Sequence, residues 1–186
     1  MSEVCEFVMQ YIKIPKKRVE VLEGEANSTL YHLEKVLNVK LYVEKDGEIR
    51  IEGPSVDVFF SLPIIKAIGR GFEPSVALKL KQENYGFNLI DLKDYAKRKE
   101  QLKRIKGRII GKKGKTKRIL EEEGQCDIAI FGSTVGIIAD LEFLDVATTA
   151  VFKLIEGIPH GGVYLYLEKN KKKFKQKEFS STLKMS

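Results

Sequence analysis

A dense cluster of cationic side chains is the feature of this sequence most suited to chemistry. Residues 101–118 contain nine Lys and Arg residues and no Asp or Glu. They are Lys103, Arg104, Lys106, Arg108, Lys112, Lys113, Lys115, Lys117 and Arg118. Such a cluster favours the binding of polyanions, because cations that neutralise phosphates release condensed counterions. The segment therefore predicts contact with a phosphate backbone.

The distribution of charge along the chain supports this interpretation. Residues 1–96 contain 13 Lys and Arg against 15 Asp and Glu, whereas residues 97–186 contain 20 against 11. The first half therefore carries a formal charge of −2 and the second half +9. We expect a polyanion to be contacted chiefly by the second half. A basic surface that is simply solvated is the alternative.

Within the cluster lies a short turn bounded by glycines, Gly111-Lys112-Lys113-Gly114. Glycine at both ends lets backbone amides approach phosphates, since a Cβ would obstruct the approach or forbid the required φ. A helix predicted to begin at Lys115 directs its free N–H groups toward the same anions. A GxxG turn between two helices is the signature of KH modules, which hold about four nucleotides of single-stranded RNA.

The predicted RNA-binding residues come from this turn, its flanks and a nearby strand. Ile110, Ile128 and Ile130 are the candidates for an apolar groove that receives the bases. The complete predicted set is Gly107, Arg108, Ile110, Gly111, Lys112, Lys113, Gly114, Lys115, Lys117, Arg118, Ile128 and Ile130.

A nucleotide-binding P-loop is the competing interpretation, because Gly114-Lys115-Thr116 resembles the end of that motif. The motif requires a glycine five residues before its last glycine, and position 109 is isoleucine. Neither His32 nor His160 has a nucleophile or ligand partner nearby in sequence. The sequence therefore predicts no enzyme and no cofactor.

Metal and disulfide sites are not predicted either. Asp140, Glu142 and Asp145 fit the capping of a helix dipole better than a metal site. Cys5 and Cys126 are far apart and lack CxxC spacing. The chain shows neither a signal-peptide pattern nor a run approaching the ~20 apolar residues that cross a bilayer. We expect a soluble, cytosolic protein.

The chain is interpreted as one unit repeated. An offset of 87 residues superposes Gly24 on Gly111 and Leu33 on Leu120. The first copy of the turn is Gly24-Glu25-Ala26-Asn27, where Asn can keep the turn shape by adopting left-handed φ. Its carboxylates, including Glu20 and Glu23 nearby, would repel an RNA backbone. The first copy is therefore predicted to be a scaffold or a protein-binding surface.

The predicted fold class is α+β, with two type I KH modules (β-α-α-β-β-α) in tandem that pack on each other. The predicted organisation is a degenerate module over residues 8–69, a connector over 70–84, an intact module over 85–168 and a basic tail over 169–186.

Several local features carry separate predictions. Pro63 should kink or interrupt a helix from Ser55 to Ile68, and Gly124 should cap the helix from Lys115. Residues 163–167 fit a strand or the start of another helix. The lysine-rich tail beyond them should be disordered or loosely helical.

Four segments carry a family resemblance: Gly107–Arg118, Asp127–Asp140, Pro159–Tyr164 and Ala67–Phe72. Through them the chain resembles, over about residues 10–175, the archaeal and eukaryotic two-KH ribosome-assembly family called Dim-two or partner of Nob-one. The compact length is typical of an archaeal member.

The resemblance implies a small-ribosomal-subunit assembly factor that binds the 3′ end region of the small-subunit rRNA and has no catalytic role. The implied partners are the Nob-type endonuclease and the α subunit of archaeal initiation factor two. The resemblance assigns the RNA clamp to Gly111–Gly114, with Arg108 and Lys117 beside it. A KH regulator or adaptor acting on mRNA or another RNA is the alternative function.

Overall fold

A computed structural model of the chain describes residues 6–184, with side chains as far as Gln176. Cys5, and with it the prediction that the two cysteines stay unpaired, lies outside the described residues. Contacts divide the chain into two units, one of residues up to Phe87 together with 129–136, the other of 88–128 and the residues from Ile137. The module boundaries given above stay a prediction.

The first half of the chain has one sheet and a group of helices. In chain order its elements are β1 (Phe7–Lys13), α1 (Lys16–Glu23), α2 (Ser28–Leu37), β2 (Lys40–Val43), β3 (Glu48–Pro54), α3 (Ser55–Gly69) and α4 (Pro74–Ala77). The sheet is antiparallel with β3 in the centre, and Phe7 lies opposite Pro54. Ile49 and Ile51 are fully buried and alternate along β3 with the half-buried Arg50 and Glu52.

The second half repeats this order. Its elements are β4 (Tyr85–Asp91), α5 (Lys99–Ile110), α6 (Lys115–Gly124), β5 (Cys126–Phe131), β6 (Thr134–Asp140), α7 (Leu141–Glu156) and α8 (His160–Lys184). The strand order is β4-β6-β5, so the third strand in sequence is again central. Both halves thus follow β-α-α-β-β-α, and the predicted α+β fold class is confirmed. None of the helices described here is both long and apolar enough to span a membrane.

The helix α3 continues through Pro63, so an interruption is ruled out and a kink at this residue stays a prediction. The proline removes the N–H that would bond to the Phe59 carbonyl, but the assigned helix still runs from Ser55 to Gly69. Ile64, Ile65 and other buried side chains on both sides of the proline hold the helix against the core.

Gly124 does not end α6, in contrast to the prediction. The helix includes Gly124, and Gln125 takes the left-handed conformation with φ 47°. A Cβ on Gly124 would lie 3.3 Å from the Cys126 Sγ and 3.6 Å from the Ala147 Cβ. Close packing therefore explains this glycine better than helix termination does.

The beginning of the basic tail is packed, which corrects the prediction of a loose segment. Residues 163–167 are helical, and Val163 and Leu167 are fully buried. The Phe174 ring lies 4.6 Å from the Phe143 ring, measured between centroids, and Lys171 donates to the Glu122 carbonyl at 3.1 Å. The apolar residues at 163, 167 and 174 recur at helical spacing, although lysines stand between Leu167 and Phe174.

Candidate nucleic-acid interface

The two glycines of the turn Gly111–Gly114 adopt conformations that other residues avoid. Gly111 has φ 74° and ψ 174°, a region occupied almost only by glycine. A Cβ on Gly111 would lie 2.7 Å from the Thr116 backbone nitrogen and would collide with its Oγ1. Gly114 is left-handed at φ 76° and ψ 8°, yet a Cβ there would meet nothing within 4 Å.

The tip of the turn is cationic and unpaired. Lys113 adopts the left-handed conformation at φ 53° and ψ 33°, which costs a non-glycine residue about 1 kcal/mol. Lys112, Lys113 and Lys115 are all exposed. Among the residues that the structure describes, none of these three lysines has an ion-pair partner. Their charge is therefore available to an external anion.

The first-copy turn has nearly the same backbone with the opposite charge. Gly24 has φ 70° and ψ −177°, Ala26 has φ 51° and ψ 38°, and Asn27 has φ 60° and ψ 19°. The prediction that Asn27 preserves the turn shape is confirmed. Glu25 is exposed at the position that Lys112 holds in the second copy, so the two turns differ in charge and not in shape.

Arg108 is engaged within the protein. Its Nε donates to the Leu154 carbonyl at 2.9 Å, and its Nη2 donates to the Ile158 carbonyl at 2.7 Å. The Leu154 carbonyl belongs to the last turn of α7, and Ile158 lies two residues beyond the end of that helix. The guanidinium thus joins α5 to the end of α7.

The cationic side chains that follow the turn are paired in part. Lys117 Nζ lies 2.7 Å from the Glu121 carboxylate, which also accepts from the Ile128 backbone N–H at 2.9 Å. Arg118 lies 3.7 Å from Glu122, and both side chains are largely exposed. An exposed pair of this kind is weak, so Arg118 keeps most of its capacity to bind an anion.

The three predicted groove residues differ in exposure. Ile110 is 38% exposed, Ile130 is half-buried and Ile128 is 4% exposed. The structure therefore places the Ile128 side chain in the core, whereas Ile110 and Ile130 retain surface that a base could contact.

A cleft of about 410 Å³ lies beside the turn, and three of its lining residues are outside the predicted set: Arg104, Thr116 and His160. The contacts of His160 and of its neighbour Tyr164 hold α8 against this part of the fold. The His160 Nε2 lies 3.0 Å from the Arg108 carbonyl oxygen, and Tyr164 donates to the Thr116 Oγ1 at 3.2 Å. The lining consists of Arg104, Gly107, Arg108, Gly111, Lys112, Lys115, Thr116 and His160.

The remaining candidates do not form a metal or catalytic site in the described residues. The Asp140 side chain accepts from the Glu142 backbone N–H at 3.0 Å and caps α7, as the dipole argument predicted. No cluster of three or more potential metal ligands occurs among the side chains that the structure describes, residues 6–176. His32 lies exposed on α2.

Comparisons with known proteins identify the family. Residues 86–172 match a family model described as a eukaryotic type KH domain (KH-domain type I), the second such domain of Pno1. A KH domain-containing protein of Methanocaldococcus jannaschii is 37% identical over 183 residues, which cover 96% of this chain and 81% of that protein. A chain in the crystal structure of an a/eIF2alpha-aDim2p-rRNA complex from Pyrococcus horikoshii is 37% identical, with a TM-score of 0.84, over 92% of this chain and 98% of that chain. The chain belongs to the Dim2/Pno1 family.

Fungal members of the Dim2/Pno1 family are longer. The pre-rRNA-processing protein PNO1 of Chaetomium thermophilum is 30% identical over 166 residues, which cover 82% of this chain and 62% of that protein. This chain therefore spans less than two thirds of that fungal protein.

Sequence reasoning for this Dim2/Pno1 chain singled out the segment Pro159–Tyr164 but did not place it at the turn. The available signal was the unusual run His160-Gly161-Gly162 directly after the last helix of the repeat. Its partners, Arg108 and Thr116, lie 52 and 48 residues earlier in the chain. That separation explains why local patterns could not connect them.

Proposed function

We propose that this chain is an RNA-binding assembly factor of the small ribosomal subunit, and that its second KH module grips single-stranded rRNA near the 3′ end. The observation that carries the proposal is the exposed, unpaired cationic tip on a glycine turn, Gly111–Gly114. The names of relatives support the choice of RNA: one is called a pre-rRNA-processing protein, and another was crystallised in a complex with rRNA.

The backbone of the turn and the lysines around it would have different roles in RNA binding. Phosphates would approach the backbone at Gly111–Gly114 and the N-terminus of α6, with Lys112, Lys113 and Lys115 supplying charge. Gly107 and Gly114 leave room for close approach, since a Cβ at either position would meet nothing within 4 Å.

The other predicted residues would either contact the RNA beside the turn Gly111–Gly114 or support the fold there. Ile110 and Ile130 would receive bases, while Arg118 and Lys117 extend the positive surface. Arg108 and Ile128 would act indirectly, because their side chains are committed to the fold. Binding of this kind requires no cofactor and no metal, and we assign the chain no catalytic role.

The first module would bind a protein partner or act as a structural scaffold. Its turn keeps the shape but carries Glu25 in place of a lysine, so repulsion between carboxylate and phosphate opposes RNA binding. By resemblance, the partners are the Nob-type endonuclease and the α subunit of initiation factor two, and the Pyrococcus complex contains a/eIF2alpha. The cytosol is the compartment we propose for this activity.

Crosslinking in cells tests the assignment to ribosome assembly. RNA crosslinked to the wild-type chain should map to the 3′ end region of the small-subunit rRNA. A variant with Lys112→Asp and Lys113→Asp should lose those reads, whereas the control Lys13→Asp and Lys17→Asp, which changes the net charge equally at exposed sites, should retain them. Reads spread over mRNAs would favour the alternative function of a regulator.

A further inference from the structure

The two edges of the first sheet differ in how they are protected. An open edge strand offers unpaired N–H and C=O groups to another chain, and proteins protect such edges with short strands, bulges, prolines or charged side chains. The edge strand β2 has four residues, and the Glu34 carboxylate accepts from its Leu41 N–H at 2.9 Å. The other edge strand, β1, has seven residues without a proline or a bulge, and its one charged residue, Lys13, is the last.

The free backbone groups of β1 can be assigned from its pairing with β3. The Ser55 N–H donates to the Glu6 carbonyl at 2.9 Å, and the Ile14 N–H donates to the Gly47 carbonyl at 2.8 Å. Even-numbered residues at both ends of β1 therefore bond to β3. Hydrogen-bonded and non-hydrogen-bonded pairs alternate along an antiparallel ladder, so the odd-numbered residues direct their N–H and C=O groups outward. Among residues 6–184, β3 is the only strand that pairs with β1.

The side chains at these odd-numbered positions are apolar and exposed. Phe7 is 70% exposed, Tyr11 54% and Met9 49%. Alternate residues of a strand share one face, and the Tyr11 hydroxyl lies 3.2 Å from the Met9 Sδ. The corresponding strand of the second module, β4, has no exposed residue. The exposed apolar edge is therefore particular to the first module.

The helix α3 adds an apolar surface beside this edge. Val56, Phe59 and Phe60 recur at helical spacing, and all three are exposed. A groove of about 490 Å³ is lined by residues of α3 together with Ile12 of β1, so the helix surface and the strand edge are continuous. Pro63 also lines this groove, and because it has no N–H, the Phe59 carbonyl lacks its helical donor.

We propose that β1 pairs with β1 of a second copy of this chain. The two strands would run antiparallel about a two-fold axis at Gln10 and join the two sheets into one. The register follows from the backbone, because the odd-numbered residues of both strands must face each other, and centring on Gln10 pairs all seven residues. A two-fold contact of this kind closes into a dimer and does not propagate into a filament.

The side chains of β1 are self-complementary in this register. Met9 would lie opposite Tyr11 of the second copy and form a sulfur–aromatic pair. Phe7 would lie opposite Lys13 of the second copy and form a cation–π pair. No position would set like charges against each other. The exposed surface of α3 would face its counterpart across the axis and lose its contact with water.

Analytical ultracentrifugation tests this pairing. The wild-type chain should sediment as a dimer at concentrations up to about 200 μM, which populates even a dimer of micromolar affinity. Met9→Lys with Tyr11→Lys would set like charges opposite each other and should weaken association by more than about tenfold. The control Tyr31→Lys with Leu165→Lys adds the same charge at exposed positions outside β1 and should leave the dimer unchanged.

Disulfide trapping tests the register independently. Gln10 would lie opposite its own copy in a non-hydrogen-bonded pair, where the two Cα atoms are about 4.5 Å apart and a disulfide can form. Gln10→Cys in a Cys5→Ser background should form a covalent dimer under mild oxidation, as non-reducing electrophoresis would show. Lys17→Cys in the same background, at an exposed position on α1, is the matched control and should stay mostly monomeric.

Three results would overturn the pairing: a wild-type monomer at every concentration, two double variants that weaken the dimer equally or not at all, or a Gln10→Cys variant that crosslinks no faster than Lys17→Cys. Neither experiment contains RNA. Failure of the dimer would therefore leave the proposed function intact, and failure of RNA binding would leave the dimer intact.

Discussion

The two glycines of the turn Gly111–Gly114 are required for different reasons. Gly111 combines a conformation reserved for glycine with a collision against Thr116, whereas Gly114 needs only its left-handed φ. We expect Gly111→Ala to lower the free energy of unfolding by about 3 kcal/mol. Gly114→Ala should lower it by about 1 kcal/mol. Urea denaturation of the two variants measures the difference, and equal losses would show that the collision is relieved at little cost.

The Cys126 thiol should be inert in the folded protein. Burial is the main cause that raises the pKa of this thiol to about 12, the nearby Glu121 and Asp127 carboxylates act in the same direction, and Lys117 opposes them. The thiol therefore stays protonated at pH 8, and the thiolate is the reactive species. Iodoacetamide at that pH should leave Cys126 unmodified until urea unfolds the chain, as peptide mass spectrometry would show. Rapid labelling in the folded protein would contradict this expectation.

The junction between α5 and α7 depends on the geometry of one guanidinium. Arg108→Ala should lower the free energy of unfolding by about 3 kcal/mol, because two charged hydrogen bonds to the end of α7 are lost. Arg108→Lys should recover little of that loss, since an ammonium cannot reproduce the forked contact. Thermal and urea unfolding measure both variants.

Arg118→Lys is the matched control for this junction, because Arg118 is 70% exposed and its pair with Glu122 is long. It should change the free energy of unfolding by less than about 0.5 kcal/mol. A stable Arg108→Lys variant with weakened RNA binding would instead support the direct RNA contact predicted from the sequence.

Where a helix begins or how a turn is shaped depends on neighbouring residues, and these features could be predicted closely from the sequence. The predicted starts of α3 at Ser55 and of α6 at Lys115 agree with the structure. Pro54 before α3 and the left-handed Gly114 before α6 set these starts through backbone conformation, which depends on neighbouring residues. The shape of the degenerate turn followed from the same argument.

Features that depend on distant partners could not be predicted in this way. Arg108 stood among basic residues and fitted an RNA contact, but its acceptors lie 46 and 50 residues further along the chain. The packing of α8 depends on Val163, Leu167 and Phe174, and the lysines between Leu167 and Phe174 conceal the helical spacing of the last. Ile128 alternates as a groove residue would, and only the fold places it in the core.

The chain as a whole combines two similar turns with opposite charge. The backbone angles at Gly24–Asn27 reproduce those at Gly111–Gly114, yet the first half of the sequence carries a formal charge of −2 and the second half +9. Shape alone therefore does not select RNA. The charge at the tip of the turn distinguishes the two modules. The second module would bind rRNA, and the first would bind a protein or act as a scaffold.

Titration of a small-subunit rRNA 3′-end oligonucleotide at increasing KCl concentration tests this central claim most directly. With about four phosphates neutralised, the wild-type chain should show a log–log slope near −3. Lys112→Asp with Lys113→Asp should weaken binding by more than about tenfold and make the slope shallower by about 1.4. Lys13→Asp with Lys17→Asp should change neither quantity. Equal affinities and slopes for the two double variants would contradict the claim that the second turn grips the RNA.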